Sequence, residues 1–299
     1  MVRQYREQKA QHPGTLLFFR LGDFYELFFE DAVIGAREMQ ITLTARHKER
    51  GDPMPMCGVP HHSAANYIAK LVRKGYRVAI CEQTEAASKT KKLVRREVVR
   101  VVTPGTPIDP QLLEPRESVY LAAVCASGET VGAAFLDIST GEFRATQASG
   151  ADAWPRIVAD IESYSPRELL FPASLGPLVR AGFANTPHTA PLPLQPPASA
   201  SPDQAATTDD GLSGADSQSV QAGSLRYVEV YGSATLTAVD DWLWQGDDSV
   251  SLLTKQFGAR SLEGYGLSGK SEAIRAAGSC LRYAQETQRA GAAHISDIV

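Results

Sequence analysis

The stretch TLLFFRLGDFYELFFEDAVIGAREM, residues 15–39, decides how the first part of the chain folds. Its opening, Thr15 to Leu21, is a β-branched, aliphatic and aromatic run that reads as a buried strand. Gly22-Asp23 then breaks the pattern. Beyond the break Phe24, Phe28, Ala32, Gly35 and Met39 fall at helical spacing. Asp23 is placed as an N-cap, with Glu26 three residues on as the reciprocal member of a capping box. The segment therefore predicts a strand followed directly by a helix, the start of an α/β domain.

The same alternation continues outward. Helical spacing around Tyr5 to Gln11 stops at Pro13-Gly14. After the stretch come a predicted strand at 41–46, a polar loop through Gly51-Asp52-Pro53, and a helix from Ser63 to Lys74 that Gly75 ends. YRVAICEQ (76–83) reads as a strand, the basic loop KTKKLVRR (89–96) follows, and EVVRVVTPGT (97–106) is a further strand. This predicts an α/β domain over 1–110 and a charged linker over 111–118. Three apolar runs in VYLAAVCASGETVGAAFLDISTGEFRATQA, separated by Ser-Gly and Ser-Thr-Gly turns, predict a β-meander. A helix at Trp154–Ser163 and a strand at Glu168–Phe171 continue the second unit as α/β. Between 185 and 223 the composition falls to Pro, Ala, Ser, Asp and Gln, which cannot bury enough apolar area to offset ordering entropy, so a disordered insertion is expected. Two helices, Asp240–Phe257 and Ser271–Arg289, precede the terminal HISDIV. The absence of a domain-closing feature there reads as a piece of something larger.

Composition narrows the functional classes. The 299 residues are 43% hydrophobic and 21% charged, the balance of a soluble globular protein. The longest apolar runs, Leu16–Phe19 and Ala133–Leu136, are far short of the ~20 residues of a membrane span, and the N-terminus has no secretory core. Four widely spaced cysteines predict free thiols in a reducing cytoplasm. The net charge of -4 conceals a division. Residues 1–108 hold 18 Lys+Arg against 11 Asp+Glu, or +7, and the remainder holds 12 against 23, or -11.

Several patterns bear on chemistry. GYGLSGKS fits the nucleotide-binding P-loop through Gly264, Gly269, Lys270 and Ser271, the signature of a P-loop NTPase. Such a loop needs a buried strand running into the glycine turn, and LLTKQFGARSLE has no strand character, so the match reads as a chance one, a turn capping the last helix. Asp137, before the glycine turn of LDISTGEF, imitates the first metal-binding carboxylate of a metal-dependent nuclease. Glu142, Glu168 and Asp240 are available to converge on it, but no spacing selects them. Cys57, His61, His62 and Cys81 lack paired metal-ligand spacing, so neither metal nor catalytic residues are expected. Ser, His and Asp are scattered with no nucleophile elbow. Arg46, Lys48 and Arg50 form one basic cluster and Lys89, Lys91, Lys92, Arg95 and Arg96 another, both within the +7 segment, either as solvated faces or as a duplex footprint. Phe24 has two readings: the first member of a helical core stripe, or an exposed wedge that stacks on bases.

GDFYELFFEDA (22–32) resembles the mismatch-recognition signature of the MutS family of bacterial DNA mismatch-repair proteins. MPMCGVPHHSAANYIAKLVRKGYRVAICEQ (54–83), VVRVVTPGT (98–106), LDISTGEF (136–143) and AAGSCLRYAQETQ (276–288) are similar to further segments of that family, in the same order, so the resemblance covers essentially the whole chain. It implies a mixed-sheet α/β mismatch-recognition domain over 1–110. It also implies a ribonuclease-H-like α/β connector over 119–260 and the start of a helical core at 261–299. In the family the Phe matching Phe24 stacks on a mispaired or unpaired base and the Glu matching Glu26 hydrogen-bonds it. Arg46, Arg96 and Arg100 are the expected phosphate contacts. The implied partners are mismatched duplex DNA, a MutL-type protein at the connector and, in the full-length protein, a second copy. ATP and magnesium are expected only in a C-terminal ATPase domain, with no cofactor here. The loop TARHKERGDPMP departs from the family's glycine-rich version.

Overall fold

A computed structural model describes residues 1–46, 53–85, 94–106, 118–183, 192–193, 227–228, 230–231, 234–288 and 294–299. The linker except for Ser118, the basic residues Lys48, Arg50, Lys89, Lys91 and Lys92, and the 185–223 insertion apart from Leu192 and Pro193 lie outside them.

The first unit contains α1 (Val2–Gln11), β1 (Leu16–Leu21), β2 (Phe24–Phe28), α2 (Phe29–Met39), β3 (Thr44–Arg46), β4 (Met54–Pro60), α3 (Ala64–Arg73), β5 (Val78–Gln83) and β6 (Arg96–Val102). Its sheet runs β3-β4-β2-β1-β5-β6, with β1 parallel to β5 and every other pairing antiparallel. α2 and α3 cover one face over Leu27, Ile68, Leu71 and Ile80, while α1 covers the other through Tyr5, packed on Phe19 and Phe28.

The decisive stretch is corrected at its centre. Phe24–Phe28 is a strand, not the first turn of a helix, and Asp23 caps nothing. Leu21 pairs with Phe24 across Gly22-Asp23, a two-residue hairpin turn with Gly22 at φ 58°. Glycine at the first turn position supplies the positive φ that lets both strands keep their right-handed twist. The helical stripe was accidental, because Phe24, Glu26 and Phe28 also alternate with Tyr25 and Leu27, and pairing on both sides selects the two-residue period. The helix starts only at Phe29, whose own φ of 55° makes the corner without a loop. β4 falls in a stretch for which the sequence predicted no element. Pro55, Gly58 and Pro60 argue against a strand, yet it pairs β2 along Met56–Pro60 and β3 along Met54–Met56.

The second unit has β7 (Tyr120–Ser127), β8 (Thr130–Asp137), β9 (Glu142–Ser149), α4 (Ala153–Tyr164), β10 (Glu168–Pro172), α5 (Gly176–Phe183), the short β11 (Leu192–Pro193), β12 (Tyr227–Val228) and β13 (Val230–Tyr231), then β14 (Ala234–Val239), α6 (Gly246–Phe257) and α7 (Ser271–Gln288). The predicted meander is β7-β8-β9, and β10 and β14 extend it in parallel on the other side of β7. Three antiparallel strands continued by two parallel ones form the ribonuclease-H-like sheet that the resemblance implies. α4 and α5 cover one face through Ile157, Ile161 and Val179, while α6 and α7 cover the other through Leu253, Ala277, Cys280 and Leu281. The expected start of a separate helical core at 261–299 is not confirmed. α7 is a layer of the second unit itself, its alanine-rich face lying against β7 and β8.

The units meet at a buried polar junction after β6. Glu168 on β10 is fully buried and accepts from the Gly105 N–H at 3.1 Å, the Thr237 hydroxyl at 2.8 Å and the Tyr283 phenol at 2.7 Å. Gln288 of α7 donates its side-chain amide to the Thr106 carbonyl.

All four cysteines are free and buried, and burial pushes the Cys57 and Cys81 thiols up to about 12. Negligible thiolate is then present at pH 8. A disulfide reagent such as Ellman's is expected to label no cysteine in the native chain and all four after denaturation; fast native labelling would contradict the packing.

Candidate nucleic-acid interface

The residues singled out on the decisive stretch come together on one face of the first sheet. Phe24 is 46% exposed at the start of β2, flanked by Leu21 on β1 and Pro60 on β4. Neighbouring Tyr25 points the other way, into the core beneath α2 and α3, where its phenol donates to Glu82 and Arg20 lies 5.5 Å from its ring. Alternation thus puts Tyr25 inside and leaves Phe24 out, a large apolar ring held by paired backbone on both sides. The turn is tied down as well, since the His61 N–H donates to the Asp23 carbonyl at 2.9 Å.

Glu26 follows two residues on, on the same face and half-buried. Burial pushes its carboxyl above the usual range, and the Arg46 guanidinium opposes that. Arg46 Nη1 stands 3.3 Å from Glu26 Oε2, reaching from β3 across the intervening β4. On β4 the residue opposite Glu26 is Gly58. A Cβ there would lie 3.5 Å from Glu26 Cγ and 3.8 Å from Phe24 Cδ1, so glycine leaves the space beside both side chains unfilled. Sequence reasoning missed Gly58, because the signal that could have found it was the pairing partner of Glu26, which needs β4 to be read as a strand.

The other expected phosphate contacts are placed differently. Arg96 lies inside the sheet: its side chain is buried, donating to the carbonyls of Arg20 at 2.7 Å and Val94 at 2.9 Å and lying 5.4 Å from the Phe19 ring. Burial lowers its pKa, and it acts as an internal strut of the sheet. Arg100 sits on edge strand β6 opposite Ile80, on the face that α2 and α3 cover. It is three strands from β2, about 14 Å at ordinary strand spacing, and turned away from Phe24.

The remaining patterns dissolve on inspection. Gly264–Ser271 comprises a 3-10 turn and a loop leading into α7, with no strand before it. The first-turn N–H groups of Glu272 and Ala273, the donors a phosphate would take, are bound by the Gln147 side-chain oxygen of β9 at 2.9 and 3.3 Å. Gln147→Ala is expected to cost about 1 kcal/mol in urea unfolding, as the loss of a helix cap does, and an unchanged midpoint would deny Gln147 that role.

Asp137 is buried at the end of β8, its Oδ1 accepting from the Ser139 N–H and hydroxyl at 2.8 and 2.6 Å, while Oδ2 has no hydrogen-bond partner among the described residues. Glu142 faces it but binds the Tyr120 phenol and Arg144. Glu168 shares a face with Leu121, and Asp137 with Tyr120, so these two carboxylates lie on opposite sides of the sheet. Asp240 is exposed beyond β14. Cys57 and Cys81 also lie on opposite faces of their sheet, and no group of three potential metal ligands converges among the described residues.

The two units, one a mixed-sheet α/β unit and the other a ribonuclease-H-like one, each match a domain of one protein family. MutS domain I matches residues 1–111, and MutS domain II matches 119–184 and 228–296. The chain belongs to the MutS family. It is 43% identical over 295 residues to the DNA mismatch repair protein MutS of Solibacter usitatus, and 41% identical over 295 residues to that of Myxococcus xanthus; each alignment covers 99% of this chain and 28% of the relative. The protein of the same name from Desulfatibacillum aliphaticivorans is 38% identical over 298 residues, covering 100% of this chain and 28% of that relative. The chain therefore spans little more than a quarter of the length of these relatives. No helix among the described residues is long and apolar enough to cross a membrane.

Proposed function

We propose that the first unit reads mispaired or unpaired bases in duplex DNA, with Phe24 stacking on the base and Glu26 accepting a hydrogen bond from its edge. The observation that carries this reading is the placement of an exposed Phe24 and a half-buried Glu26 on one face of a strand paired on both sides. A mispair unstacks at lower cost than a paired step, so a fixed wedge samples it preferentially without reading sequence. Arg46 supplies positive charge beside the wedge, and the +7 of residues 1–108 supports phosphate approach.

Within these residues the role is binding rather than catalysis. The second unit engages a MutL-type partner, and the full-length protein works as a homodimer in the bacterial cytoplasm. ATP with magnesium belongs to a further domain of that protein, not to Gly264–Ser271. Competition between perfectly paired, single-mismatch and one-base-loop duplexes for the purified chain tests the reading. Tighter binding of the two defective duplexes is expected, and equal affinity for all three overturns it.

A further inference from the structure

The carboxylate that would read the base already has a partner. Glu26 is paired with Arg46 at 3.3 Å, although the two residues stand on strands separated by β4. Arg46 is the more exposed of the two, with 41% of its side chain accessible against 16% for Glu26. The guanidinium is thus at the surface a duplex would approach, and the carboxylate lies beneath it. A half-buried carboxylate facing phosphates is doubly unfavourable, through lost hydration and through like-charge repulsion. On a mispaired duplex a base edge relieves that cost; on a fully paired duplex no base edge is offered.

We propose that Arg46 is the resident partner of Glu26, a placeholder that a mispaired base displaces and that stays in position on a matched duplex. This rests on the reading of Glu26 as the base contact and adds a specificity role for Arg46. When the base takes Glu26, the guanidinium is released toward a phosphate, so the exchange leaves neither charge unpaired. On paired DNA the ion pair persists and the surface tolerates the duplex loosely. Gly58 suits the exchange, because the strand between the two residues carries no side chain beside Glu26. Arginine fits the role better than lysine, since its planar fork spans the distance and can engage either carboxylate or phosphate.

The test is a double-mutant cycle on the full chain, reading the ratio of mismatched to matched duplex affinity for the parent, Arg46→Ala, Glu26→Ala and the double variant. In the parent background Arg46→Ala is expected to weaken matched binding more than mismatched binding, raising the ratio on the order of fivefold, the scale of a partly exposed ion pair. In the Glu26→Ala background the same substitution should weaken both duplexes equally and leave the ratio alone. Arg46→Lys should fall between parent and Arg46→Ala. Separately, NMR titration of the Glu26 side-chain carboxyl in the free protein should give a higher pKa in Arg46→Ala than in the parent. An equal effect on the ratio in both backgrounds, or an unmoved titration, overturns the placeholder role. If the parent shows no mismatch preference, the reading of the first unit fails instead, and the titration still decides whether Arg46 holds Glu26. Amide NMR spectra of each variant exclude misfolding as the cause.

Discussion

Phe24→Ala is expected to bring mismatched and matched duplexes to nearly equal affinity while leaving the fold intact. Stacking of one base on an aromatic ring is worth about 1–3 kcal/mol, which corresponds to a loss of roughly 5- to 150-fold in preference. Affinity for matched duplex should change little, because phosphate contacts do not pass through the ring. The fold should survive because Phe24 is 46% exposed and belongs to neither core of the first unit. Leu27, three residues on and fully buried, is the contrasting position: Leu27→Ala should lose about 2–5 kcal/mol of stability. Competition binding with a circular-dichroism melt on each variant separates the two effects. Undiminished preference in Phe24→Ala would remove the wedge from the proposed function.

The second large effect is expected at the junction. Glu168→Ala removes the acceptor shared by Gly105, Thr237 and Tyr283 and leaves two buried donors and one part-buried donor without it. The cost should be about 3–5 kcal/mol, since buried donors without partners retain their full desolvation penalty. Glu168→Gln is more selective. Thr237 and Tyr283 both donate to Oε1, which a glutamine oxygen can replace, whereas Gly105 donates to Oε2, where an amide nitrogen cannot accept. Of the three bonds to Glu168, only the one from the first unit is then lost, and the Gln288–Thr106 bond remains. All three tryptophans, Trp154, Trp242 and Trp244, lie in the second unit, so their fluorescence follows that unit while circular dichroism follows both. The two signals should report coincident urea transitions in the parent and separated ones in Glu168→Gln. A loss under 1 kcal/mol in Glu168→Ala would show that the junction does not hold the units together.

Much of the fold was legible in the sequence, and the exceptions share a physical origin. The meander, the helix ended by Gly75 and the strands at 76–83 and 97–106 carry local signals: alternation, glycine stops and β-branched runs. Phe24–Phe28 carries two periods at once, and only the neighbours β1 and β4 choose between them. β4 was hidden because its prolines oppose strand propensity, and tertiary pairing overrides them. α7 shows the periodicity expected of a helix, but nothing local says that its partner is a sheet more than a hundred residues earlier.

The candidate site's residue types could be read from the sequence, and its pairings could not. Phe24 and Glu26 were proposed through the motif that contains them, whereas the Glu26–Arg46 contact depends on a register across three strands. The burial of Arg96 was not legible, because charge predicts exposure on average; here the guanidinium finds backbone carbonyls and an aromatic face inside the sheet.

The position of β2 has a mechanical consequence. The strand is hydrogen-bonded on both edges, closed at one end by a two-residue turn and at the other by a helix that follows without a loop. A ring mounted there has almost no compliance of its own, so any strain that arises on contact with a duplex must be absorbed by the nucleic acid. Under the proposed function the protein is then a fixed indenter pressed against a material of variable hardness, registering how readily the duplex yields, and softening the mount by loosening β2 should blunt the reading even with Phe24 and Glu26 unchanged.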